Sequence, residues 1–164
     1  MVNDGRLELT PLRVEDAVDM VDVLFSPALY EYTGGEPPAL DALRRQYAAQ
    51  AEGGPADGSE QWLNWIVRQQ GEPIGYVQAT LSDGSDDAEI AWVIGLPWQG
   101  RGLAKAAAAL LVRELASRGV QGIRAHIHPR HEASKRIAAS LGMHSTDTIV
   151  DGEIRWEGTA SAEA

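Results

Sequence analysis

The stretch from Ala88 to His128 constrains the fold more than any other part of the sequence. It begins with an apolar run, Ala88 to Ile94, that is typical of a buried strand. After a glycine-containing turn, apolar residues recur at helical spacing between Gly102 and Ser117, and Ile123 to His128 then alternates apolar and polar residues as a strand does. A strand, a helix and a strand in this order predict two parallel strands joined by a right-handed crossover.

The segments on either side predict further elements. We expect a first strand at Leu7–Leu9, followed by a helix from about Val14 whose apolar face carries Val14, Ala17, Val18, Val21 and Leu24. The other predicted elements are a helix over Leu40–Ala51, strands over Trp62–Arg68 and Ile74–Leu81, a helix over Glu132–Ser140, and strands over Met143–Thr148 and Glu153–Trp156. This order predicts an α+β (mixed α/β) domain with a central, largely antiparallel sheet and flanking helices.

Length and composition indicate one ordinary globular domain. The 164 residues suit a single core, which we expect to span residues 7–157, with a frayed tail at 158–164. No apolar run approaches the ~20 residues that cross a membrane, and the polar start of the chain does not resemble a signal peptide. We therefore expect a cytoplasmic protein without a membrane partner, either a monomer or a homodimer. The absence of cysteine excludes disulfides, thiolate metal ligands and a cysteine nucleophile.

The formal net charge of −10 restricts the possible partners. An acidic surface repels the phosphates of nucleic acids at long range, so we expect no nucleic-acid partner and favour a cationic one. A polyanionic ligand could bind such a protein only at a local positive site.

The segment Leu96–Lys105 has the features of a local positive site. Gly100 and Gly102 would let backbone N–H groups turn towards a ligand, and the helix that follows adds unpaired donors and a positive dipole. Arg101 and Lys105 add charge. The segment lacks the Gly-Lys-Ser/Thr ending of a nucleoside triphosphate loop and the third small residue of the dinucleotide fingerprint. Two interpretations remain, a phosphate-binding turn and a glycine turn that only starts a helix.

Two motifs give the chain a family resemblance. Gln99-x-x-Gly102-x-Ala104 after a strand resembles the pyrophosphate-binding signature of the GNAT superfamily of N-acetyltransferases. The segment His131–Met143 resembles the second CoA-binding helix of that superfamily, and is closest to the branch of the ribosomal-protein N-terminal acetyltransferases, which often reads Asn-x-Ala-Ser and then Leu-Gly-Phe or Leu-Gly-Met. The resemblance extends over residues 7–157. It implies an enzyme that moves acetyl from acetyl-CoA to a primary amine of a small molecule or a peptide N-terminus.

The resemblance also implies a cofactor site between two splayed parallel strands. The backbone of Trp92, Val93 and Ile94 would line the pantetheine arm and polarise the thioester carbonyl. His131 stands where the family usually has an asparagine that contacts this arm, and Ser134 resembles the partner of the leaving thiolate. The pyrophosphate would be held by Gln99, Gly100, Arg101, Gly102, Leu103, Ala104 and Lys105.

Ala138 departs from the family pattern, because many members carry a tyrosine there that is proposed to protonate the thiolate. With His131 in place of asparagine, this departure leaves a second hypothesis open, a non-catalytic CoA-binding or sensor domain on the same fold. Release of the CoA thiol in the presence of an amine would distinguish the two hypotheses.

Glu89 is our candidate for the base that takes a proton from the amine. It interrupts an apolar strand just before the phosphate turn, where the superfamily often places an acidic residue. A solvent-facing glutamate is the alternative interpretation. His128 and His131 are further candidate bases, and with His126 they are also conceivable zinc ligands, although polar residues on one sheet face explain them more simply.

Tyr30 and Tyr32 are our candidates for acceptor binding. They lie in a Gly- and Pro-rich loop, where packing alone explains aromatic residues less well than in a core. In the family, this loop corresponds to the variable region on the acceptor side.

Overall fold

The computed structural model describes residues 2–160, which contain eight strands and four helices. All the strands and helices predicted from the sequence are present, and a short first strand was not predicted. No helix among the described residues combines the length and the apolar character that a membrane span requires. The elements are β1 (Val2–Asn3), β2 (Glu8–Pro11), α1 (Ala17–Val23), α2 (Leu40–Ala51), β3 (Glu60–Gln69), β4 (Glu72–Ser82), β5 (Asp87–Ile94), α3 (Leu103–Ser117), β6 (Gly122–Ile127), α4 (Glu132–Ser140), β7 (His144–Val150) and β8 (Glu153–Thr159).

The strands form one sheet in the order β1-β2-β3-β4-β5-β6-β8-β7. Neighbouring strands are antiparallel except β5 and β6, which are parallel as the sequence predicts. The parallel pairing is short: it joins Asp87 to Gly122, Ala88 to Ile123 and Glu89 to Arg124, and it extends no further. Beyond Glu89, β5 stays paired with β4 and β6 stays paired with β8, so the two halves of the sheet separate.

Two hydrophobic clusters cover the two faces of the sheet. The larger one packs α3 and α4 against one face, and its fully buried side chains include Leu103, Leu110, Leu111 and Leu115. The smaller one packs α1 and α2 against the opposite face around Ile66. The inward residues of β6 are Ile123, Ala125 and Ile127, as its alternation predicts.

The apolar face predicted for the first helix is partly wrong. Val14 and Val18 are 37% and 50% exposed, whereas Met20 and Val23 are buried. The reason is local: residues 14–16 form a turn of 3-10 helix, so the α-helix begins only at Ala17. Because the 3-10 turn is wound more tightly than an α-helix, a regular 3.6-residue spacing counted from Val14 gives the wrong face.

A buried ion pair fixes the start of α1 against the sheet. Asp16 is 5% exposed, accepts a hydrogen bond from the backbone N–H of Arg13 at 2.8 Å, and accepts another from Nη2 of Arg68 on β3 at 2.9 Å. Nε of Arg68 also donates to Oγ1 of Thr10 on β2 at 3.0 Å. One arginine therefore ties α1, β2 and β3 together.

The predicted tail begins too early. Gly158 and Thr159 belong to β8, where Thr159 pairs with Gly122, and the N–H of Ala160 donates to the carbonyl of Gln121 at 2.8 Å. These residues are ordered by ladder hydrogen bonds to β6, which the composition of the segment does not reveal. The rest of the predicted tail, residues 161–164, lies outside the described residues.

Replacing Arg68 should destabilise the fold, because Arg68→Met leaves the buried Asp16 carboxylate without its charged partner. We expect a loss of roughly 3 kcal/mol in the free energy of unfolding, measured by urea denaturation. Arg44→Met is the matched control, since Arg44 pairs with Asp41 on the surface at 3.6 Å, and it should cost less than about 1 kcal/mol. Equal effects of the two substitutions would contradict this account of Asp16.

Candidate active site

A cleft of about 1190 Å³ opens where β5 and β6 separate. Its walls are β5, β6, the beginnings of α3 and α4, and the loop after α1, so it reaches both faces of the sheet. Of the site residues predicted from the sequence, all but one line this cleft. The exception is Arg101, which is exposed and whose carbonyl accepts a hydrogen bond from Nη2 of Arg6 at 2.9 Å.

The glycine turn before α3 has the geometry of an anion site. Gly100 and Gly102 have φ angles of +79° and +74°, which L side chains rarely adopt. A Cβ on either glycine would meet no other atom, so backbone conformation and not space requires glycine there. Because α3 begins directly after Gly102, its first N–H groups and its positive dipole end face the cleft, next to Lys105.

Gln99 lines the cleft, and its side chain makes a hydrogen bond within the protein. Its Nε2 donates to the carbonyl of Ile94, the last residue of β5, at 2.9 Å. The side chain thereby closes the turn onto the end of the strand, which leaves the backbone of the turn to face a ligand.

The strand segment Trp92–Ile94 borders the gap between β5 and β6. The edge of this segment that faces β6 has no strand partner, because the pairing of β5 with β6 ends at Glu89. An extended amide-containing ligand could pair with such an edge, since backbone groups need hydrogen-bond partners. The structure therefore offers the kind of edge that the predicted pantetheine contact requires.

Ser134 and His131 lie together at the start of α4, across the gap from β5. Ser134 is only 9% exposed, and its Oγ lies 3.4 Å from Nε2 of His131. Ala138, one turn further along, is fully buried in the main core and is not among the residues that line the cleft. A tyrosine at that position would need space that the core now fills.

Tyr32 links the loop after α1 to this helix. Its ring stacks on His131 at a centroid distance of 4.7 Å and an interplanar angle of 17°, and it lies 5.2 Å from His128. Burial lowers the pKa of His131, the nearby His128 lowers it further, and Glu31 acts in the opposite direction. Nδ1 of His128 accepts a hydrogen bond from the N–H of Arg130 at 3.0 Å.

Glu89 lies in the cleft between two basic side chains of β6. Its Oε1 is 3.3 Å from Nδ1 of His126 and 3.8 Å from Nε of Arg124, and its side chain is 47% exposed. The sequence analysis did not identify Glu153 on β8, which also lines the cleft. Burial raises the pKa of Glu153, against the opposing effect of His126 and His128. Only the pairing of β8 with β6 brings Glu153 here, and no local sequence signal indicates it.

Tyrosines form the deep part of the cleft on the side of α2. Tyr47 is 3% exposed, and its hydroxyl has no hydrogen-bond partner within residues 2–160. Burial raises the pKa of Tyr76 to about 12, so its phenol is protonated at neutral pH. The hydroxyl of Tyr30, one of the two tyrosines predicted to bind the acceptor, donates to the carbonyl of Leu24 at 3.0 Å. Its proton is therefore already engaged in a hydrogen bond within the protein.

A smaller cavity of about 300 Å³ adjoins the cleft between α2 and the strands β3 and β4. Asn64 and Gln78 are cross-strand partners on its floor. Its lining carries no charged residue and consists of Gln46, Ala49, Gln50, Trp62, Asn64, Gln78, Ala79 and Thr80. We call it the amide groove.

The histidines do not converge on a metal site. His126 faces Glu89, His128 is bonded to the backbone of Arg130, and His131 stacks on Tyr32. In residues 2–160 no group of three or more His, Cys, Asp or Glu side chains is arranged to hold a metal ion.

The fold and the cleft define a class of protein, one with a ligand site between two separating parallel strands and an anion-binding turn at a helix start. Residues 6–144 match the sequence model of the acetyltransferase (GNAT) domain. The chain belongs to the GNAT acetyltransferase family and is an acyl-CoA-dependent acyltransferase. The fold, the enzyme class and the acetyl-CoA co-substrate predicted from the sequence are thereby confirmed.

Solved structures agree on the fold. An aminoglycoside acetyltransferase AAC(6')-Ib in complex with coenzyme A is 23% identical, with a TM-score of 0.77, over 95% of this chain and 96% of that chain. An acetyltransferase from Thermus thermophilus is 21% identical, with a TM-score of 0.75, over 97% of this chain and 99% of that chain. RimJ from Mycobacterium smegmatis in complex with CoA-disulfide is 19% identical, with a TM-score of 0.76, over 94% of this chain and 82% of that chain. A search of curated protein sequences found no match.

Gly102→Asp should weaken the binding of CoA, because it places a carboxylate against the turn and an L side chain at a φ of +74°. We expect roughly 10- to 100-fold weaker binding by titration calorimetry, the equivalent of one lost charge-assisted contact. Gly58→Asp is the matched control: Gly58 has a φ of +72°, does not line the cleft, and gains the same charge. A folded Gly102→Asp protein that binds CoA like the wild type would refute the site.

Proposed function

We propose that the protein is an N-acetyltransferase that moves acetyl from acetyl-CoA to the primary amine of a cationic acceptor. The main support for this proposal is that the cleft is continuous. A single cavity leads from the glycine turn, through the gap between β5 and β6, to a chamber lined by carboxylates and tyrosines on the other face of the sheet. The acyl carrier and the amine can therefore enter from opposite sides and meet in the gap.

On the cofactor side, the proposal assigns the pyrophosphate to the turn at Gly100–Gly102 and to Lys105. These groups supply positive potential at one place in a chain with a net charge of −10. The pantetheine arm would pair with the free edge of β5 along Trp92–Ile94, which brings the thioester to the level of Ser134. Ser134 would then donate its hydroxyl proton towards the CoA sulfur.

On the acceptor side, charge and hydrogen-bonding capacity both favour an amine. Glu31, Glu36, Glu89 and Glu153 all line the cleft, and an ammonium group is attracted to carboxylates. The hydroxyl of Tyr47, which has no hydrogen-bond partner within residues 2–160, adds a buried group that can donate or accept a hydrogen bond. The acidic chain as a whole would also raise the rate at which a cation arrives.

Glu89 is the base that we assign. An amine with a lysine-like pKa of ~10.4 is mostly protonated at neutral pH, so the acceptor must lose a proton before it attacks. His128 suits this task less well, because its Nδ1 already accepts a hydrogen bond from Arg130, so the neutral ring carries its proton on Nε2 and has no free lone pair. Glu89 has acceptor oxygens in the cleft itself.

The amide groove supports an acceptor with an uncharged, hydrogen-bonding body. Side-chain amides donate and accept, which suits hydroxyl groups or peptide bonds better than a second ammonium group. A peptide N-terminus, the acceptor type of the branch that the segment His131–Met143 resembles, has such a body. We place the reaction in the cytoplasm, where acetyl-CoA is available.

The hypothesis of a CoA-binding domain without catalysis is not retained, because the chain is an acyl-CoA-dependent acyltransferase. The identity of the acceptor is what an experiment must establish. Release of the CoA thiol should be followed with acetyl-CoA and a panel of aminoglycosides, peptides with free N-termini, polyamines and simple alkylamines. We expect thiol release that depends on an amine and acetylated product by mass spectrometry. Tight acetyl-CoA binding without thiol release for any amine would contradict an amine acceptor.

Glu89→Gln should lower turnover by roughly 10²-fold or more, because the amide cannot accept the proton of the ammonium group. The affinity for acetyl-CoA, measured by calorimetry, should change by less than about 3-fold, which is less than about 1 kcal/mol. The reason is that the proposal places Glu89 on the acceptor side of the cleft. Raising the pH should partly restore the rate, because the amine then arrives neutral.

Glu72→Gln serves as the control for the loss of one carboxylate, since Glu72 is exposed at the start of β4 and does not line the cleft. A wild-type rate for Glu89→Gln across neutral pH would show that the base lies elsewhere.

A further inference from the structure

His131 stands at the one place in the cleft where an imidazole contacts both the loop on the acceptor side and a buried hydroxyl on the cofactor side. We propose that His131 relays a proton during acetyl transfer: the imidazole takes the proton that the attacking amine must lose and passes it through the Ser134 hydroxyl to the departing CoA thiolate. The inference rests on the proposed function above and concerns the same site.

The contact between the two side chains supports a relay. His131 immediately precedes α4 and Ser134 lies in its first turn, which brings Ser134 Oγ within 3.4 Å of Nε2 of His131. Among the described residues, His131 is the one hydrogen-bonding partner of this hydroxyl. A serine hydroxyl can donate one proton while it accepts another, so it can pass a proton between the ring and the sulfur.

The ring of His131 is held in a fixed orientation. Tyr32 stacks on it at an interplanar angle of 17°, and the same tyrosine lies against His128. The ionisable groups that face the ring are His128 after β6, Glu31 and Tyr32 from the loop after α1; His128 disfavours a positive charge on the ring and Glu31 favours one. A relay needs such a fixed geometry, because proton transfer depends on hydrogen-bond alignment.

The charge state of His131 suits both halves of the relay. Because burial lowers its pKa, the ring is neutral at neutral pH and has a lone pair for a proton. Once protonated, it is a stronger acid than free imidazole and gives the proton up readily. An asparagine, which the family usually has here, can hydrogen-bond to Ser134 but cannot carry a proton.

The steps balance without another reactant. The neutral amine forms a C–N bond to the thioester carbonyl, and the nitrogen then carries one proton too many. That proton passes to the imidazole as the C–S bond breaks and its electron pair leaves on sulfur. The Nε2 proton of His131 moves to Ser134 Oγ while the hydroxyl proton moves to sulfur, which leaves a neutral imidazole, the amide and the CoA thiol. Glu89 handles the earlier proton, the one that the ammonium group loses before attack.

His131→Asn tests the relay, because it keeps a polar contact with Ser134 and removes the proton carrier. We expect kcat to fall by roughly 10²-fold while the affinity for acetyl-CoA, measured by calorimetry, changes by less than about 3-fold. His144→Asn is the matched control, since His144 is exposed on β7 and does not line the cleft. Loss of acetyl-CoA affinity with an unchanged kcat would overturn the relay and leave only a binding role.

A pH profile separates a relay from a structural role. The experiment compares kcat/KM of the wild type with that of His131→Asn at each pH, as a ratio. The ionisation of the acceptor and of Glu89 affects both enzymes equally, so its effect cancels in this ratio. A proton on His131 removes the lone pair, so the ratio should be constant at high pH and should decline as the pH falls through the lowered pKa of His131. A ratio that does not change with pH would refute the relay.

The double variant His131→Asn/Ser134→Ala tests whether the two residues act in series. If His131 and Ser134 pass the same proton, the double variant should have a kcat no lower than that of the slower single variant. If their roles are independent, the two losses in kcat should multiply. Multiplied losses would overturn the proposal. Wild-type protein that binds acetyl-CoA but acetylates no amine would reject the proposed function itself, whereas a wild-type enzyme with a flat pH ratio rejects only the relay.

Discussion

The site depends on one constraint, that an inner strand must find hydrogen-bond partners on both of its edges. Beyond Glu89, β5 uses its groups to pair with β4 up to Ile94, and β6 uses its own to pair with β8 up to Ile127. Each of these segments therefore keeps a strand partner on one edge, while the edges of β5 and β6 that face each other have none beyond Glu89 and Arg124. Backbone groups on these edges need hydrogen-bond partners, so the gap suits an extended ligand that carries amide groups.

The gap also divides the chemistry of the molecule between the two faces of the sheet. The face covered by α3 and α4 supplies the helix dipole, Lys105 and Ser134, which suit an anionic carrier. The face covered by α1 and α2 supplies carboxylates and phenols, which suit an amine. An acidic protein can in this way bind a polyanion, because the start of α3 and Lys105 supply a local positive potential in a chain with a net charge of −10.

The sequence predicts those parts of this arrangement that are local along the chain. The parallel pair, the turn at Gly100 and Gly102 and the alternation of β6 follow from short-range patterns, and the structure has them. The buried face of α1 could not be predicted, because it depends on the 3-10 turn before Ala17. The positions of Glu153 and Tyr47 and the stacking of Tyr32 depend on strand order and loop packing, which a linear pattern does not encode.

The stacking of Tyr32 on His131 has a consequence for the order of events. Tyr32 belongs to the loop that borders the acceptor chamber, whereas His131 precedes the helix that borders the cofactor gap. A ligand that shifts one ring also shifts or breaks its contact with the other, and this would link the two halves of the cleft thermodynamically. If the amine and the acyl carrier both favour the stacked arrangement, each strengthens the binding of the other by the same factor.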